Sequence, residues 1–98
     1  MQFQLTKTAE RELDQIFVYY AQRAGVDVAD KIIDSIEERF ALLGDFPAIG
    51  LNSDHLVPGV LRFPTGDYIV YYRKRRNVIQ ILHILHGARN QARTFKNN

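Results

Sequence analysis

The sequence predicts an α+β domain of order β-α-α-β-β-β, a helical hairpin packed on one face of a small, mainly antiparallel sheet. Three observations carry this reading. Residues 68–73 and 78–85 are two runs dominated by Tyr, Val and Ile, joined by the polar stretch Lys74-Arg75-Arg76-Asn77, which is a β-hairpin pattern. Two stretches of apolar residues at helical spacing stand in tandem before residue 44. A short alternating run, Gln2-Phe3-Gln4-Leu5, precedes them and reads as a strand with one buried face.

The first helix follows that strand. Thr6 or Thr8 can cap it, and Glu10 and Glu12 are expected in its first turn, where the helix dipole favours negative charge. Leu13, Ile16, Phe17, Tyr20 and Ala24 form its apolar stripe, and Gly25 ends it. Asp27 is the expected cap of the second helix, whose stripe is Ala29, Ile32, Ile33, Ile36, Phe40 and Leu43, with Gly44 as the stop. A connection of a few residues makes the two helices an antiparallel pair. Neither stripe is stable alone, so both are core surfaces.

Residues 44–59 hold two prolines and three glycines without a sustained period, and read as a long loop. Phe46, Ile49, Leu51 and Leu56 are the expected anchors of that loop against the body. Leu61-Arg62-Phe63 is a brief strand, and Pro64-Thr65-Gly66 turn the chain into the hairpin. The first strand must return to the edge or the middle of the later three-strand meander, with both helices on one face.

Ninety-eight residues make one domain, 1–98, ending in a short basic tail at 88–98. Apolar residues at 46% and charged residues at 24% are globular rather than disordered composition. No cysteine is present, which rules out disulfides and thiolate metal sites and is compatible with the cytoplasm. No signal-peptide pattern and no membrane-spanning apolar run is visible.

The net charge of +2 hides an asymmetry. Residues 1–43 carry five Lys/Arg against eight Asp/Glu, a net −3, whereas residues 44–98 carry eight against three, a net +5. A basic half on a small domain points to an acidic protein partner or a nucleic acid.

Candidate chemistry gathers there. Arg62, Arg73, His83, His86, Arg89 and Arg93 are the residues that can hold phosphates or carboxylates, or move protons, if the strands bring several of them to one end of the sheet. His83 and His86, three apart on a strand, face opposite sides and cannot chelate one ion, so no metal and no cofactor is expected. No phosphate-cradling glycine loop and no nucleophile elbow occurs.

Certain residues also carry a family resemblance. They are Thr8-Ala9, Leu13, Ile16 and Tyr20; Phe46-Pro47 and Gly50; Gly59-Val60-Leu61-Arg62; the unbroken run from Asp67 to Arg73; and Ile79, Ile81 and Ile84-Leu85-His86-Gly87-Ala88-Arg89. In this order they resemble the RelE/ParE superfamily of type II toxins, most closely the ParE-like branch, across nearly the whole chain. The resemblance implies a cytoplasmic toxin neutralised by a ParD-like antitoxin, touching operator DNA only through that antitoxin and having no membrane role. It implies inhibition of DNA gyrase by binding rather than catalysis, with Arg73, His86, Arg89 and Arg93 as target contacts. The alternative that the wider superfamily implies is a ribosome-dependent mRNA endonuclease. Arg62 and Arg73 would then hold phosphate, and His83 or His86 would transfer protons. Here the last aromatic residue is Phe95, which has no ionisable hydroxyl for that chemistry.

Overall fold

A computed structural model describes residues 2–87 and Phe95. Strand β1 (Gln2–Leu5) leads into helices α1 (Lys7–Ala24) and α2 (Val26–Asp45). Four strands follow: β2 (Leu51–Asn52), β3 (Leu61–Thr65), β4 (Tyr68–Arg75) and β5 (Val78–His86). They form one sheet in the order β1-β5-β4-β3-β2. The first strand returns to the edge, parallel to β5, and every other pairing is antiparallel.

Thr6 is the cap of α1. Its hydroxyl accepts the Ala9 N–H at 3.1 Å and donates to the Leu82 carbonyl at 3.1 Å, while its own N–H bonds to Ile81 O at 3.0 Å. One side chain thus starts the helix and ties it to the sheet. Glu12 lies beyond the first turn, whose acidic residue is Glu10 alone. The expected Asp27 cap is corrected: a single residue, Gly25, at φ 93, both ends α1 and begins α2, and Asp27 falls within the first turn. Only glycine adopts that φ without a Cβ clash, so the interhelical link is as short as it can be.

The core lies between the helix pair and one face of the sheet. Ile36, Phe40 and Leu43 of α2 and Ile16 of α1 meet Val70, Tyr72, Ile79, Ile81 and Ile84. Each large side chain so buried contributes roughly 1.5–3 kcal/mol before ordering costs. The opposite face carries a smaller cluster of Val60, Tyr71 and Leu85, covered by Leu56, Val57, Leu82 and Phe95.

Four boundaries differ from expectation. Gly44 is not the stop of α2, which runs through it to Asp45 with Phe46 as the cap. The hairpin turn is Arg76-Asn77 alone, with Arg76 at φ 50, because the strands pair out to Arg75 and Val78. Pro64 and Thr65 belong to β3, and Gly66-Asp67 make the turn. Proline is tolerated there because β2 pairs only with Leu61 and Arg62, leaving the rest of β3 as an edge. The loop also contributes a two-residue strand, β2.

The loop is anchored differently from the sequence reading. Phe46, Ile49 and Leu51 are exposed, and only Leu56 packs inward. Polar bonds hold the segment instead. The hydroxyl of buried Tyr72 accepts the Gly50 N–H at 2.9 Å and donates to Pro47 O at 2.9 Å. Arg62 Nη1 donates to Asn52 O at 2.9 Å and to the Oγ of fully buried Ser53 at 2.8 Å. Burial pushes the Tyr72 hydroxyl above its usual range, with the Gly50 N–H opposing, so it stays a neutral donor.

A Cβ at Gly50 would overlap the Tyr72 hydroxyl and ring, which are packed into the core. Gly50→Ala is therefore expected to destabilise the fold by about 1–3 kcal/mol. Tyr72→Phe, which leaves two loop groups without partners, is expected to cost about 1–3 kcal/mol. Urea unfolding followed by circular dichroism measures both.

Candidate functional site

The candidate residues are distributed by one irregularity in β5. Tyr72 pairs with Ile81 and Tyr71 with His83, so Leu82 has no partner on β4. This bulge changes which side chains face the helices. Ile79 and Ile81 point into the helix-facing core, and strict alternation would send His83 the same way. The extra residue instead puts His83 opposite Tyr71, on the far face, and returns Ile84 to the core.

Directly paired residues share a face, so Arg62, Tyr71 and His83 form a row across three strands on the side away from the helices. Arg73, paired with Gln80, stands on the same face, its Nε donating to Gln80 Oε1 at 2.9 Å. The ring of Phe95 covers this row, with its centroid 4.9 Å from that of Tyr71 and 4.8 Å from that of His83. Beside it opens a cavity of about 440 Å³ whose lining includes Thr8, Val57, Arg73, His83 and Phe95. Burial raises the Tyr71 hydroxyl's pKa, with the Arg62 charge opposing the shift.

His83 is buried and held from the helix side. Its Nδ1 lies 3.1 Å from Glu12 Oε2, and Glu12 Oε1 accepts the Ile84 N–H at 2.9 Å. A carboxylate only accepts, so the Nδ1 nitrogen carries the proton in this contact. Strand β1 ends at Leu5, opposite Ile81, and beyond it the Glu12 carboxylate takes the place of a neighbouring strand.

His86 lies elsewhere. It pairs with Tyr68, on the helix-facing side, with the two rings edge to face at 5.5 Å. It is exposed and six residues along β5 from Gln80, the partner of Arg73. At about 3.3 Å per residue that is roughly 20 Å, and on the other face. The structure therefore brings together Arg62, Arg73 and His83 but not His86. Arg89 and Arg93 lie outside the described residues. Exposed Lys74, Arg75 and Arg76 form a separate basic tip at the hairpin turn.

Sequence reasoning missed the part played by Glu12. Its place on α1 reads as an ordinary helix charge, and only the bulge and the short β1 create the open strand edge it fills. No group of His, Asp and Glu among the described residues has the arrangement of a metal site. None of their helices is long and apolar enough to cross a membrane.

Glu12→Ala strands the Ile84 N–H and removes the partner of His83, and is expected to cost about 1–3 kcal/mol. Glu12→Gln keeps an acceptor for the Ile84 N–H and is expected to lose less. Thermal unfolding of the two variants side by side tests the order.

With this geometry in view, comparison with known proteins is direct. Residues 3–91 match the family model for the ParE toxin of the type II toxin-antitoxin system, parDE. Toxin ParE3 of Caulobacter vibrioides is 33% identical over 87 residues, covering 89% of this chain and 87% of the relative. Toxin ParE1 of the same organism is 28% identical over 88 residues, covering 90% of this chain and 91% of the relative. A solved structure described as the chromosomal ParDE TA system from P. aeruginosa superposes with a TM-score of 0.77 at 27% identity, over 88% of this chain and 95% of its own. The two-helix, five-stranded architecture with a mostly antiparallel sheet matches that neighbour. The chain belongs to the ParE toxin family of type II toxin-antitoxin systems.

Proposed function

We propose that this chain is a cytoplasmic toxin that blocks DNA gyrase, and so replication, until a ParD-like antitoxin binds it. The observation that carries this reading is the match to the ParE toxin model over residues 3–91, nearly the whole chain. The architecture suits a toxin that works by docking. A rigid sheet holds Arg73 among polar neighbours on one face and carries three exposed basic residues, Lys74, Arg75 and Arg76, at its tip. Such charges speed encounter with an anionic partner and select it.

Target contact is assigned to Arg73 with the basic hairpin tip, and to His86, Arg89 and Arg93 towards the C-terminus. Because Arg73 and His86 lie on opposite faces, a target that needs both must wrap the edge or end of the hairpin. The mRNA-cleaving alternative gains no support. His83 is buried between Glu12 and Phe95, and the Nη1 of Arg62 is committed to the Asn52–Ser53 backbone and hydroxyl.

A supercoiling assay with purified toxin tests the reading. Micromolar toxin is expected to inhibit gyrase, and the protein encoded by the neighbouring reading frame is expected to relieve the inhibition. Arg73→Ala is expected to weaken inhibition by roughly tenfold, in keeping with about 1.4 kcal/mol for a charged contact. Undiminished supercoiling at saturating toxin would count against gyrase as the target.

A further inference from the structure

At the end of the hairpin opposite its basic tip, a cleft of about 480 Å³ opens between α1 and the β4–β5 pair. Its lining includes Glu12, Tyr19, Tyr20, Asp67, Tyr68 and His86, and among the described residues it contains two carboxylates but no lysine or arginine. This is an acidic, aromatic recess where α1, from the acidic half of the chain, meets the hairpin of the basic half.

The rings form a connected wall. Tyr19 and Tyr20 meet edge to face at 5.0 Å, Tyr68 is hydrogen-bonded to Tyr20, and Tyr68 meets His86 edge to face at 5.5 Å. Burial, the Tyr20 hydrogen bond and the nearby Asp67 charge all push the Tyr68 hydroxyl well above its ordinary range. Tyr68 therefore remains neutral, and the cleft carries two carboxylates, Glu12 and Asp67. Both oxygens of Glu12 are engaged, one by Ile84 N–H and one by His83. The Asp67 carboxylate is exposed.

The wall already holds one guanidinium, since Arg23 lies 3.8 Å above the centre of the Tyr19 ring. Two neighbouring observations bear on what enters the cleft from outside. Val18 and Tyr19 are 50% and 45% exposed on α1, an apolar strip at the cleft's rim. A partner segment lying on that strip would carry a side chain into the recess. Charge complementarity selects a cation, and aromatic walls beside a carboxylate favour a planar guanidinium over a compact ammonium.

We propose that this cleft receives an arginine side chain of the antitoxin, stacked on the tyrosine wall and paired with Asp67. The proposal rests on the antitoxin pairing put forward above, and assigns that partner a specific anchor. Apolar contact on Val18 supplies area, and the arginine sets the register.

The test uses the full chain and the protein encoded by the adjacent reading frame, with binding measured by titration calorimetry. Asp67→Asn is expected to weaken binding about fivefold, and Asp67→Arg and Tyr19→Ala at least as much. Both positions are exposed, and unchanged thermal unfolding would confirm that the three variants fold. A second measurement needs no partner protein. L-argininamide is expected to shift the amide resonances of Tyr68 and His86, and L-citrullinamide, whose side chain is neutral, is not. If the antitoxin binds all variants within twofold of the unaltered toxin and argininamide shifts nothing, the cleft is not an arginine site and the proposal falls, while the pairing stands. If the neighbouring protein fails to bind the unaltered toxin, the pairing falls, and the antitoxin falls with it as the occupant.

Discussion

Strand β5 runs five residues past the point where its neighbour β1 stops, and the protein must satisfy the backbone groups this leaves open. An unpaired buried amide or carbonyl costs as much as a lost hydrogen bond. The answer comes from the start of α1. Thr6 meets Ile81 O and Leu82 O, and Glu12 meets the Ile84 N–H. The same contacts set the position of α1 against the sheet, so the strand's edge and the helix's docking are one problem with one solution.

The bulge at Leu82 belongs to that solution. It twists the strand where β1 gives out and exchanges the faces of the residues beyond it. On the helix side this keeps Ile84 in the core; on the far side it sets His83 beside Tyr71, within reach of Glu12 around the open edge. The two histidines are thereby assigned different surroundings. His83 joins the row formed with Arg62 and Tyr71 under Phe95, while His86 joins the acidic, tyrosine-lined cleft beside α1. A chain with a modest net charge thus presents a basic hairpin tip and, at the other end of the same ribbon, an acidic recess. Two partners of opposite character can be met by one rigid element.

The loop before β3 shows the same economy with polar groups. Its apolar residues Phe46, Ile49 and Leu51 stay exposed, and two strand side chains, Tyr72 and Arg62, reach out to hold its backbone. Arg62 therefore has a structural task that its charge alone does not suggest. The exposed loop residues leave an apolar margin along the β2 edge, close to the Asp54 turn. There the Gly59 N–H, followed by Asn52, holds the Asp54 carboxyl below the usual range.

The element order, the two helix stripes, the long hairpin and the split of charge between the halves were legible in the sequence. Each is a local pattern, written in spacing of two or of three to four residues and in composition. The family resemblance was legible for the same reason, since it rests on short contiguous runs such as Asp67-Tyr68-Ile69-Val70-Tyr71-Tyr72-Arg73. The faces of His83 and His86, the service of Glu12 to the edge of β5, the anchoring of the loop by Tyr72 and Arg62, and the cleft closed by Tyr19, Tyr20 and Tyr68 were decided only by the tertiary structure. Their cause is non-local. One unpaired residue at Leu82 inverts a strand's alternation, and the bonds that depend on it join residues more than seventy positions apart, as from Glu12 to His83 and Ile84.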